Sequence, residues 1–123
     1  MKTIKYLVAG LLLASLSVPA MAQTSQADID AITKVIVDAK GDAVATKDQV
    51  KDFKKAHKKD AVALAALGRA FLEAKNYQMA EEIANLAIKA NGKSAEGYIL
   101  LGDIASAQDD GGKAAGFYEQ GTY

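Results

Sequence analysis

Residues 61–94 read AVALAALGRAFLEAKNYQMAEEIANLAIKANGKS, and residues 95–123 read AEGYILLGDIASAQDDGGKAAGFYEQGTY. Sliding the chain on itself by 34 places brings Ala61 onto Ala95, Leu67 onto Leu101, Gly68 onto Gly102 and Ala80 onto Ala114. Apolar character is kept where Leu64 meets Tyr98, Ala66 meets Leu100, Ala70 meets Ile104 and Ile83 meets Phe117. A recurrence at fixed spacing is the signature of a repeat architecture, in which each unit buries its apolar face against the next.

The matched residues share a physical logic. A glycine inside a helix costs about 1 kcal/mol against alanine, so its return after Leu at the same phase points to a packing role. Gly68 and Gly102 carry no side chain and Ala80 and Ala114 only a methyl, which lets paired helices approach closely where they cross. Phe71, Tyr77, Tyr98 and Tyr118 are the large groups that fill the remaining space. Period and residue types together resemble the tetratricopeptide repeat. Leu64, Leu67-Gly68, Phe71, Ala80, Ala84 and Ala87 match its pattern in residues 61–94, with Asn76-Tyr77 at the turn. Tyr98, Leu101-Gly102, Ala105, Ala114, Tyr118 and Gly121 match it in residues 95–123. The departures are Leu64, Ala84 and Ala105 where aromatics are usual, and Gly92 where proline is common. The resemblance implies an all-α fold of antiparallel helix pairs stacked as a short α-solenoid.

Upstream, Ile29, Ile32, Val35, Ile36 and Ala39 recur at three and four, the period of one helix face. Ser25 with Asp28 offers a capping box at its start and Gly41 a left-handed cap at its end. Thr46 with Gln49 offers a second start, followed by Val50, Phe53 and His57 on one face. Further helices are predicted from Ala61 to Lys75, from Gln78 to about Ala90, from Ser94 or Ala95, and from Lys113 after a pause at residues 109–112. This makes six helices in three pairs. Another step of the same spacing aligns Gly41-Asp42 with Lys75-Asn76 and Asp109-Asp110, but Thr33-Lys34 stands where Leu-Gly is due. Residues 23–60 are therefore read as a diverged repeat or a cap, followed by repeats at 61–94 and 95–123. The second of these is shorter than a full unit. The expectation is a longer protein of which this is the N-terminal part; failing that, a partner or second copy would cover Phe117 and Tyr118.

At the N-terminus, Lys2 and Lys5 precede an apolar stretch from Tyr6 to Leu16 and the small-residue site Ala20-Met21-Ala22, the layout of a secretory signal peptide cleaved before Gln23. The stretch falls short of the roughly 20 residues of a spanning helix. Cleavage would remove two of the 15 basic residues and none of the 15 acidic ones, leaving 13 against 15, or −2. That balance points to no nucleic-acid partner and no polybasic membrane contact, and no stable membrane insertion is expected once the signal peptide is removed. The cut also removes Pro19, the only proline, and the chain contains no cysteine, so packing alone must stabilise it. A periplasmic or secreted bacterial protein is the expectation.

Residues suited to chemistry are sparse. His57 is the only histidine, and without cysteine no nitrogen-and-sulfur zinc site can be assembled. Asp109-Asp110-Gly111-Gly112 lacks the alternating acids and closing Glu of a calcium loop and reads as a polar turn. Ser94 and Ser106 have no histidine nearby in sequence, and no glycine falls into a phosphate-binding motif. Lys51, Lys54, Lys55, Lys58 and Lys59 alternate with Asp48, Asp52 and Asp60, a basic stripe that reads as a solvated helix face in preference to one that meets an acidic partner or a lipid head group. Neither an enzyme nor a cofactor is expected.

The family resemblance places a partner surface on the concave side, along the first helix of each pair. It comprises Val62, Ala65, Arg69, Leu72 and Glu73, then Glu96, Ile99, Asp103 and Ser106. The Lys and Asn that would hold a peptide's terminal carboxylate are missing there. An apolar groove anchored by Arg69 and Asp103 suits a helical or extended peptide. The resulting expectation is an exported scaffold that binds a protein or peptide; the alternative is a ligand-binding or scaffold component of an outer-membrane uptake system.

Overall fold

The computed structural model describes residues 20–93 and 95–122, with side chains from residue 26 onward. The basic and apolar parts of the expected signal peptide, Ser94 and Tyr123 lie outside the described residues. The described chain is all-helical, without strands. It comprises α1 (Ala20–Asp38), α2 (Lys47–Ala56), α3 (Ala61–Glu73), α4 (Tyr77–Ala90), α5 (Ala95–Ala107) and α6 (Gly111–Gly121). None of these is long and apolar enough to cross a membrane.

Successive helices pair as α3 with α4 and α5 with α6, and α4 packs directly on α5. The first helices of the pairs also touch in order, α1 on α3 and α3 on α5. The first pair departs from this scheme. α1 lies more extensively against α3 than against its own partner α2, and α2 makes no extensive contact with α3 or α4. What ties α2 to α1 is Phe53, His57 and Asp28. His57 is buried, its ring centroid is 4.5 Å from that of Phe53, and its Nε2 donates to the Asp28 carboxylate at 2.9 Å.

Three inter-helix joints repeat one another closely. At Lys75 and Asp109 the backbone turns left-handed, with φ of 67° and 62°. The next amide reaches five residues back, Asn76 to the Phe71 carbonyl and Asp110 to that of Ala105, each at 2.9 Å. This is the Schellman end of an α-helix, in which a left-handed residue lets two orphan carbonyls find donors. α1 ends the same way one residue early, with Gly41 N–H on the Ile36 carbonyl at 2.9 Å. Two consecutive left-handed residues follow, Lys40 (φ 57°) and Gly41 (φ 77°), and bring the chain back into phase.

In consequence Asp42, Asn76 and Asp110, each 34 places from the next, have the same task. Their side chains accept from the amide three residues on, at Ala45, Met79 and Lys113, each at 3.1 Å. Satisfying an orphan N–H in this way starts a helix, and it does so for α4 and α6. α6 accordingly begins at Gly111, earlier than the Lys113 predicted from glycine content.

Two sequence expectations for the first pair are corrected. α1 runs through Ser25, which therefore does not cap its start, and Asp28 serves His57 instead. Thr46 precedes α2 but makes no side-chain cap; its hydroxyl donates to the Asp42 carbonyl at 2.9 Å, and it is buried.

The core is centred on the middle pair. Leu67, Phe71, Ile83 and Leu100 have essentially no exposed surface, and Ile36 of α1 joins them. Ala80, Leu101 and Ala114 are buried, and Tyr98 is half-buried. A Cβ placed on Gly68 would lie 2.6 Å from Leu100 Cδ2 and 3.3 Å from the Ala80 carbonyl. Gly97, which the spacing argument did not single out, is equally confined, with Ile88 Cγ1 at 2.6 Å and the Ala84 carbonyl at 3.2 Å from such an atom. Glycine is therefore what permits the α4–α5 approach.

Candidate functional site

On α3, Val62, Arg69 and Glu73 share one face, because residues three, four or seven apart stack along a helix. Glu96, Ile99, Asp103 and Ser106 do the same on α5. Val62 is 55% exposed and Ile99 39%, large apolar groups left in water. Glu73, Glu96 and Ser106 are exposed as well. Two expected members differ. Ala65 is buried in the core, so its methyl has no surface to offer a partner, and Leu72 is half-buried, packed against the same core.

Arg69 and Asp103 are joined to each other rather than left open to a ligand. Arg69 Nη1 donates to Asp103 Oδ2 at 2.7 Å across 34 residues. This short, charge-assisted contact sets the exposed row of α3 beside that of α5. The other Asp103 oxygen, Oδ1, accepts from the Tyr118 hydroxyl at 2.5 Å. The Tyr118 ring lies against Gly102, where a Cβ would come within 2.6 Å of its Cδ1 atom. One carboxylate thus ties α3, α5 and α6 together, and both its oxygens are engaged. The hydrogen bond to Asp103 pushes the Tyr118 phenol above the ordinary tyrosine range, helped by desolvation and the carboxylate's charge and opposed by Arg69.

Arg69, expected with Asp103 to anchor a ligand, keeps a side chain 42% exposed and has donors beyond the one used. An incoming carboxylate would share Arg69 with Asp103. Tyr118, read as a packing residue, is 37% exposed and completes this network from α6. Opposite charges at one phase of two repeats were a legible signal for the Arg69–Asp103 pair. Nothing local announces the reach of Tyr118 back to α5.

Among the described residues no group of three or more His, Asp or Glu side chains could hold a metal ion, and the one histidine is committed to Asp28. Compared with protein-family models, curated proteins and solved structures, the chain matches none.

Proposed function

We propose that this protein is an exported scaffold whose helix pairs stack as a short tetratricopeptide-like solenoid and bind a peptide or protein segment along the paired rows of α3 and α5. The observation that carries this reading is the Arg69–Asp103 contact at 2.7 Å. It aligns two first-of-pair helices in register and leaves Val62 and Ile99 exposed on their outer faces. Exposed apolar groups flanked by a partly free guanidinium suit the side chains of an amphipathic or extended segment, with Arg69 taking an acidic group. The recurring joints at Asp42, Asn76 and Asp110 support counting residues 23–60 as a diverged first unit of the stack. The lysine-flanked apolar segment and small-residue site at the N-terminus support export, with the mature chain starting at Gln23.

The test is recovery of partners from an envelope fraction by the wild type, by Val62→Asp with Ile99→Asp, and by Arg69→Glu. Loss of the same partner in both variants, with helical content unchanged by circular dichroism, supports the surface. Equal recovery by all three overturns it. N-terminal sequencing of the exported protein tests the maturation site, and a start at Met1 would overturn cleavage.

A further inference from the structure

The lysine run of α2 and the turn after it is interleaved with Asp48, Asp52 and Asp60 in the sequence, and the fold gives Asp52 and Asp60 other places. Asp52 lies on the α1 side of α2 with Asp28 and Phe53. Asp60 is spent as the cap of α3, accepting from the Ala63 amide at 3.0 Å. Lys51, Lys54, Lys55, Lys58 and Lys59 line a different opening, which Asp52 does not reach. They form one wall of a groove of about 740 Å³ whose other wall carries Lys89, near the end of α4. Leu64, Leu86 and Ala90 also line it, and no acidic residue does. The groove exists because α2 leans on α1 and stands off from α3 and α4.

Among the described residues, none of these six ammonium groups has a hydrogen bond or ion pair. Lysine stems are apolar and lie along a surface while the charged tip seeks water, so the walls are apolar below and cationic at the rim. A cleft lined by one sign of charge focuses its field on whatever enters. The volume falls inside the range of small-molecule sites, roughly 300 to 1,000 Å³. The helix C-terminal dipole gives a reason for Lys54 and Lys55 in the last turn of α2 and for Lys89 in the last turn of α4, but none for Lys51 or for the meeting of all of these at one opening. The chain's own first 25 residues contain no Asp or Glu and two lysines, so they are not the counter-charge.

We infer that this groove binds a single-chain amphiphile with an anionic head group, its alkyl tail on Leu64, Leu86 and Ala90 and its head among the lysines of α2 and Lys89. Lysine rather than arginine at every cationic position fits a head group held by point charges and not by a planar fork. The site lies between α2 and α4 and is independent of the α3–α5 rows proposed for protein binding.

Dodecyl phosphate, kept below its micellar concentration and titrated calorimetrically into the purified protein, is the probe. Saturable binding is expected. It should weaken about tenfold or more in Lys55→Gln/Lys58→Gln/Lys89→Gln, and also in Leu86→Ser, whose fold is checked by circular dichroism. Raising the salt should weaken it too, because exposed charges are screened. Inorganic phosphate alone and the uncharged dodecyl maltoside should each bind far more weakly. Undiminished binding by the lysine variant, equal binding of the maltoside, or no binding of dodecyl phosphate overturns the assignment. Tighter binding of an acidic helical peptide at the same lysines would also overturn it, and would make the groove a protein-docking site.

Discussion

Asn76 uses both ends of its amide: Oδ1 accepts from the Met79 amide at 3.1 Å, and Nδ2 donates to the Gly41 carbonyl at 2.7 Å. One side chain therefore starts α4 and fastens the second joint to the first. Asp42 and Asp110, at the same repeat position, can only accept, so this link is confined to the junction between the first and second pairs.

The two roles separate by substitution. Asn76→Asp keeps the cap and loses the donated bond, at a cost of about 1 kcal/mol. Asn76→Ala loses the cap as well, worth about 1 kcal/mol more. Urea unfolding of the two variants should show this order, and equal midpoints would exclude a clamping role for Nδ2.

Gly102→Ala would push its methyl into the Tyr118 ring. The ring must then swing away from Asp103, with a loss of about 1–2 kcal/mol. Gly116, also in a helix, has nothing within 4 Å of an added Cβ, so Gly116→Ala should stabilise by about 0.5–1 kcal/mol. Thermal melts that moved in the same direction for both would contradict the packing described around Tyr118.

Tyr118 also makes a prediction about alkaline pH. A group whose folded-state pKa is raised holds its proton more tightly folded than unfolded, so its contribution is complete below the unfolded value of about 10. It is then lost as pH rises through the folded value. An ultraviolet titration should show Tyr118 ionising above the ordinary tyrosine value, and Asp103→Asn should bring it back toward that value. Between the unfolded value and the raised folded value, stability of the wild type should fall with pH more steeply than that of the Asp103→Asn protein.

The Arg69–Asp103 pair is partly exposed, with side chains 42% and 30% accessible, and should contribute under about 1 kcal/mol to stability. A double-mutant cycle with Arg69→Ala and Asp103→Ala should return a coupling in that range, smaller at high salt. A coupling of several kcal/mol would mean that the pair is far better shielded than its exposure implies.

His57→Ala removes the buried contact between the end of α2 and Asp28 of α1, together with the ring that lies against Phe53. Hydrogen exchange in α2 should accelerate while α3 and α4 keep their protection, because α2 has little hold on them. Uniform acceleration across all helices would show instead that α2 belongs to the central packing.

Much of the fold was legible because the residues that carry it act locally. The apolar period of α1, the recurrence of Leu-Gly at positions 67–68 and 101–102, and the turn residues at 41–42, 75–76 and 109–110 each report a feature within a few residues of themselves. What escaped depends on how distant pieces sit together. Ser25 looked like a helix start because Ser and Asp three apart fit a capping box, but helix propagation from Ala20 overrode it. Asp28 gave no hint that it would meet His57. The acids between the lysines read as part of one solvated face, yet Asp52 lines the α1 side, Asp60 caps α3, and a groove opens where α2 stands off from α3 and α4. Ala65, chosen by repeat phase for the partner face, lies buried in the core because helix contacts, not phase alone, decide what reaches solvent.

α3 touches α1, α4 and α5, while α2 depends on α1, and α6 packs chiefly on α5. Mechanically this is a hub with two arms. Loss of order at either end should leave a helical body behind, because neither α2 nor α6 carries the central packing. A lesion within Leu67 or Phe71 has no such refuge: it undercuts both arms at once, and the molecule should fail as a whole.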